Sequence, residues 1–198
     1  MKNTRTISKD TLVSRLKNMS IHYLQRYPST SNNLDKYLRK KVKEYNKEAL
    51  QENPEIMNMF NQAIAEVIEF LEKLGYLNDK IYSKNQLRNL LNKGKSTIAI
   101  NYKLQEKGVS KEDIRETLIS KDKTGMELYA ALKFLRRKSF GAYRKPLDDE
   151  ELLQKKIEKE YASIARQGFN YDTIKKVLNM EKTEVEDLIF NLERELDL

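Results

Sequence analysis

Apolar residues recur three and four positions apart along nearly the whole chain, the spacing that places one stripe on one face of a helix. Leu12, Leu16, Met19 and Tyr23 form the first stripe, ended by Pro28, and Leu34, Leu38, Val42 and Tyr45 form the second. A break at Asn53-Pro54 precedes Phe60, Ala63, Ile64, Val67, Leu71 and Leu74, and Gly75 closes that run with Asn78 or Asp79 as the next N-cap. The spacing then predicts helices over 79–93, 97–107 and 111–120. A stripe of Leu128, Ala131, Leu132 and Leu135 follows the break at Asp122-Lys123-Thr124 and closes near Gly141 and Pro146. Leu153, Ile157, Tyr161 and Ile164 carry a long helix to Gly168, and Ile174, Val177 and Leu178 a short one. Val185, Leu188, Ile189, Leu192 and Leu196 end the chain. No helix is expected to be apolar all round, so each must bury its stripe against neighbours.

Two segments share the same punctuation. Leu104–Leu118 reads LQEKGVSKEDIRETL and Ile164–Leu178 reads IARQGFNYDTIKKVL. Gly108 and Gly168 stand where a helix ends in a left-handed residue, a conformation glycine adopts without a Cβ penalty. Val109 and Phe169 can fold back on Leu104 and Ile164, while Ser110 and Asn170 supply N-caps for the next helix. Ile114 and Ile174 then fall where Val109 and Phe169 would staple them. Recurring helix-turn-helix units of this kind predict an all-α fold of tandem three-helix repeats. The punctuation sets the repeats at 8–77, 78–121 and 122–180, forming an elongated array, with an additional acidic C-terminal helix at 181–198. Six glycines and three prolines in 198 residues suit a nearly all-helical chain.

Charge adds a partner class. The net charge is +8, but it is uneven: +9 over residues 1–47, +6 over 121–145 and −5 over 183–198. A basic body with an acidic end suits nucleic acid or a nucleoprotein. The absence of cysteine excludes disulfides and thiolate metal sites, and His22, the single histidine, excludes a His-based metal cluster. MKNTRTISKD lacks the apolar run of a secretory signal. The cluster over Ile64–Leu74 is broken by Glu66, Glu69, Glu72 and Lys73, so no membrane span is expected and a reducing cytoplasm is the default location.

Gly94-Lys95-Ser96-Thr97 has the look of a phosphate loop, but Asn89 stands where the first glycine is required and the preceding leucines have helical spacing. The run Asp148–Glu151 suits the positive end of a helix that comes after it. With no catalytic motif, the chain is expected to be a non-enzyme without cofactor or metal. The basic-aromatic run from Lys133 to Lys145 is more informative. Leu135 continues the buried stripe, so Lys133, Arg136 and Arg137 cannot all point inward, and Lys138, Arg144 and Lys145 extend the charge. Arginine pairs bidentately with phosphate or carboxylate. A second cluster, with Arg39 and Lys40, has the same composition in the first repeat. Arg136, Arg137 and Arg144 are expected to be exposed.

These motifs carry a resemblance. Ala131-Leu132-Lys133-Phe134-Leu135-Arg136-Arg137-Lys138 followed by Phe140-Gly141-Ala142-Tyr143-Arg144 resembles the segment of the RecX family in which a helix runs into a basic turn. The segment Ala165–Ile174, with Arg166, is similar to that family's closing motif. Lys93-Gly94-Lys95 and Leu104–Val109 resemble its repeat core, and Tyr23–Tyr27 with Leu34 and Leu38 echoes it in the first repeat. The resemblance implies a regulator of the RecA recombinase that binds the RecA–DNA filament and inhibits ATP hydrolysis, strand exchange and stimulated repressor cleavage. Its candidate contacts are Lys133, Arg136, Arg137, Lys138, Arg144, Lys145, Arg166, Lys95, Arg39 and Lys40, with DNA phosphates as further partners and a monomeric state. A stand-alone helical nucleic-acid-binding protein and a helical adaptor without nucleic-acid contact are the alternatives.

Overall fold

The computed structural model describes residues 8–53, 56–119 and 122–198; Pro54 and Ser120, both assigned above to element boundaries, lie outside them. Among the described residues the secondary structure is helical throughout. In chain order the helices are α1 (Lys9–Leu24), α2 (Ser31–Tyr45), α3 (Lys47–Glu52), α4 (Ile56–Lys73), α5 (Asp79–Asn92) and α6 (Thr97–Glu106). They continue with α7 (Lys111–Ile119), α8 (Lys123–Lys138), α9 (Glu150–Ala165), α10 (Tyr171–Leu178) and α11 (Lys182–Glu195), with a 3-10 turn at Gly141–Tyr143. Two compact units divide the chain: Met1–Tyr82 with Lys107–Val109, and Ser83–Glu106 with Ser110–Leu198.

In the first unit α4 is the central helix. Its Phe60, Ala63, Ile64, Val67 and Leu71 are buried against Leu12, Val13 and Leu16 of α1 and Leu34, Leu38 and Val42 of α2. Two residues assigned to these stripes are exposed instead. Tyr45 lies where Asn46 ends α2, its amide nitrogen donating to the Val42 carbonyl at 2.8 Å, and 47–52 forms a separate short helix. Leu74 lies where Gly75, at φ +75°, turns the chain back through a bond from the Tyr76 amide to the Leu71 carbonyl.

In the second unit α8 is central, and it departs from the expectation that every helix keeps a polar face. Met126, Tyr129, Ala130, Ala131, Leu132, Phe134 and Leu135 are each at most 1% exposed, so most of its circumference is covered. α10 and α11 pack directly on it. The α5–α6 turn also lies close to it at Gly94, where a Cβ would lie 2.6 Å from the Phe134 backbone nitrogen.

The twin turns have left-handed glycines, with φ +75° at Gly108 and +88° at Gly168, and Ser110 and Asn170 accept the expected capping bonds from Asp113 and Thr173. They also share a bond the sequence does not announce. The residue before each glycine gives its carbonyl to a hydroxyl that caps another helix. Thr30 Oγ1 donates to the Lys107 carbonyl at 2.6 Å while accepting from the Asn33 amide at 3.1 Å. Ser96 Oγ donates to the Gln167 carbonyl at 2.6 Å while accepting from the Ala99 amide at 3.2 Å. A single hydroxyl thus satisfies one end of its own helix and one carbonyl of a distant turn. Thr30→Ala and Ser96→Ala each remove a cap and strand a carbonyl, so each is expected to cost about 1–3 kcal/mol in urea unfolding, and Thr30→Ser much less.

Candidate functional site

The basic run occupies the C-terminal half of α8 and the turn beyond it. α8 ends at Lys138 rather than near Gly141, because Ser139 takes the left-handed position (φ +55°) and the Phe140 amide bonds back to the Leu135 carbonyl at 3.0 Å. Phe140 then packs edge-on to Phe134, with ring centroids 6.1 Å apart. Arg136, Arg137 and Lys138 fall in the last turn, where the helix dipole favours cations.

A buried acid organises the turn from Gly141 to Arg144. Glu160 on α9 is 1% exposed, and its carboxylate accepts from the Gly141 amide at 3.0 Å. It also takes both prongs of Arg144, Nε at 2.9 Å and Nη2 at 2.6 Å. Arg144 is therefore not the exposed contact expected from sequence: its side chain is 15% exposed and holds the turn shut. The bond to Glu160 raises the Arg144 pKa above its ordinary value. Burying the carboxylate is tolerable because guanidinium and backbone N–H together fill its acceptor positions.

The acidic C-terminal helix supplies two more carboxylates. On α11, Glu186 accepts from the Tyr143 hydroxyl at 2.6 Å and lies 3.3 Å from Arg136, and Glu193 lies 3.2 Å from Lys133. Glu193 also accepts from the Tyr129 hydroxyl at 2.8 Å, and that bond first, then Lys133, holds its pKa below the ordinary carboxylate range. Burial, then the bond to Glu193, pushes the Tyr129 phenol up. Burial, then the bond to Glu186, pushes Tyr143 up to about 12.

The cations of the run thus divide. Lys133, Arg136 and Arg144 are paired within the chain, whereas Lys138 and Lys145 are exposed and Arg137 is exposed beside the Phe134 ring, 5.4 Å from its centroid. Arg166 is exposed at the end of α9, and Lys95 is half-buried with its Nζ 3.3 Å from the Gln167 side chain. Arg39 and Lys40 belong to the first unit. There Arg39 is held by Asp35 at 2.6 Å and by Asn61, and Lys40 lies 3.8 Å from Glu44. Glu160, Glu186 and Glu193 were missed by sequence reasoning. Glu160 had a readable signal, for it falls on the buried stripe of α9 between Ile157 and Ile164.

Other sequence candidates are placed as plain structure. Gly94 closes α5 and Ser96 caps α6, whose Thr97 amide and hydroxyl both donate to the Glu127 carboxylate, at 3.0 and 2.7 Å. An internal acid therefore fills the place a phosphate would take. His22 is exposed, and Asp149 caps α9. Among the described residues no three metal-ligating side chains cluster, and no helix is long and apolar enough to cross a membrane.

Known proteins share this plan. The profile described as RecX, second three-helix domain, matches residues 78–118. A regulatory protein RecX of Myxococcus xanthus is 29% identical over 83% of this chain and 84% of its own length. Another, of Agrobacterium fabrum, is 28% identical over 90% and 89%. Over most of its length the chain is similar to proteins of the RecX family. The crystal structure of RecX from Lactobacillus salivarius overlays on 88% of this chain and 97% of that one, with a TM-score of 0.60 at 21% identity, a likeness of fold. Each of these two relatives bears the name regulatory protein RecX.

Two outcomes test the geometry. Glu160→Ala leaves Arg144 half-buried and unpaired and is expected to cost about 3–5 kcal/mol, against about 0.5 kcal/mol or less for Arg137→Ala, both by urea unfolding. Tyr143 binds its proton more tightly when folded, so its contribution to stability is present below pH 10 and lost as pH rises towards 12. A spectrophotometric titration is expected to show a late tyrosine phase near that pH that Tyr143→Phe removes.

Proposed function

We propose that this chain is a negative modulator of the RecA recombinase in DNA repair and recombination, acting in the cytoplasm as a monomer without catalytic chemistry of its own. It binds the RecA filament on DNA and inhibits ATP hydrolysis and strand exchange. In this reading the chain is three three-helix repeats, 8–77, 78–121 and 122–180, the first carrying the additional short helix α3, followed by the helix at 181–198.

The observation that carries the proposal is the open basic end of α8 in a chain similar to RecX proteins over most of its length: Arg137, Lys138 and Lys145 stand exposed around a turn pinned by Glu160. These three are the contacts to phosphate or to an acidic filament surface. Lys133 and Arg136 join only by exchanging Glu193 and Glu186 for the partner's anions, and Arg144 serves to hold the turn. Arg166, Lys95, Arg39 and Lys40 are secondary contacts.

The test is RecA ATPase on single-stranded DNA with increasing amounts of the protein. Inhibition and co-sedimentation with filaments at low salt are expected, weakening as salt rises. Reversing Arg137, Lys138 and Lys145 to Glu should reduce inhibition at least about tenfold while leaving the fold intact, because exposed charges away from partners contribute little to stability. No inhibition by the wild-type protein refutes the proposal. Tight, recombinase-independent binding to DNA favours the stand-alone nucleic-acid reading instead.

A further inference from the structure

An open groove of about 600 Å³ runs between α6 and α7 of the second unit, away from the basic turn. Its floor is apolar: Ile114, Leu118 and Ile119, the last 68% exposed although large and branched. Its charged lining is wholly cationic, from Lys111, Arg115 and Lys123, and the α6 wall adds only the amides of Asn101 and Gln105, bonded to each other at 2.8 Å. Among the described residues none of these three cations has an ion-pair partner, in contrast to Lys133, Arg136 and Arg144.

The chain itself shows what satisfies a face of this composition. α11 is an acidic amphipathic helix whose Val185, Ile189 and Leu192 enter the core beside α8. Its Glu186 and Glu193 flank that stripe and reach Arg136 and Lys133. The groove between α6 and α7 presents the same pairing of apolar floor and cationic rim, with no acidic residue in its lining.

We propose that this groove is a docking site for an acidic amphipathic helix of a partner protein, with one or two large apolar side chains over Leu118 and Ile119 and carboxylates against Lys111, Arg115 and Lys123. Charge complementarity selects an acidic occupant. The floor selects a protein over a nucleic acid, because it holds branched aliphatic side chains and no aromatic ring on which a base could stack. The proposal is independent of the recombinase reading, since the ATPase assay can fail while the groove still binds, and the reverse.

The probe is a capped synthetic helix of Glu, Ala and Leu with its leucines on one face, labelled with fluorescein and titrated with the full chain by anisotropy. Saturable binding is expected. The double variant Lys111→Glu/Arg115→Glu and the single variant Ile119→Asp, all at exposed positions, should each weaken it about tenfold or more with unchanged circular dichroism. Reversal of Arg137 and Lys138 should leave it within about twofold. Three results would overturn the proposal: no binding of the probe, equal loss on reversing Arg137 and Lys138, or displacement of the probe by an oligothymidine at matched charge.

Discussion

A helix covered on nearly all sides has little solvated face on which to place its charges, so the charges it carries must be met by neighbours or pushed to its ends. α8 is such a helix from Met126 to Leu135, and the arrangement of the second unit obeys that constraint. The absence of a side chain at Gly94 lets the α5–α6 turn reach the Phe134 backbone. Glu127, in the first turns of α8, is spent on the start of α6. Lys133, the one cation within the covered stretch, is drawn to Glu193, while Lys123 stands at the exposed start of the helix and Arg136, Arg137 and Lys138 collect in the last turn, where the dipole favours them and solvent begins.

The electrostatics of the turn then separates two jobs that look alike in a linear sequence. A cation that faces a buried carboxylate is a structural tie: removing either partner leaves a charge stranded in a poorly solvated place. A cation at a helix end with no acid in reach contributes little to folding and remains available to a partner. Arg144 and Arg137 are seven positions apart and of the same type, yet they stand on opposite sides of this division. The acidic helix α11 belongs to the same logic. Its charge sets which of the α8 cations are free, by occupying Arg136 and Lys133 from the inside.

Legibility in the sequence tracked how local the determining physics is. The left-handed glycines of the twin turns, the caps at Ser110 and Asn170, and the failed phosphate loop at Gly94 depend on a few adjacent residues, and the structure agrees with each. The extent of burial around α8 was not legible, because Ala130 and Tyr129 lie off the single stripe and are covered only once helices distant in sequence, α10 and α11 among them, pack on α8. The pairing of Arg144 was not legible from the basic run either, since its partner sits on the next helix. Glu160 was half legible. It lies beside Tyr161 of the stripe Leu153, Ile157, Tyr161 and Ile164, three positions after Ile157 and four before Ile164, so helical spacing places it on the inner face while its charge argues for the outer one.

This division bears on how strongly the basic turn can bind alone. Each phosphate neutralised on duplex DNA contributes a salt slope of about −0.9, so three open cations give a slope near −3, well short of the six to ten contacts typical of tight electrostatic binding. Recruiting Lys133 and Arg136 requires breaking bonds to Glu193 and Glu186, which returns much of what the new contacts supply. A surface built this way discriminates by requiring additional contacts elsewhere on the partner, and weak sites engaged together gain affinity through effective concentration without any one being strong. The internal acids thus argue against an autonomous polyanion binder, and under the proposed reading phosphate would supply only part of the attraction to the partner.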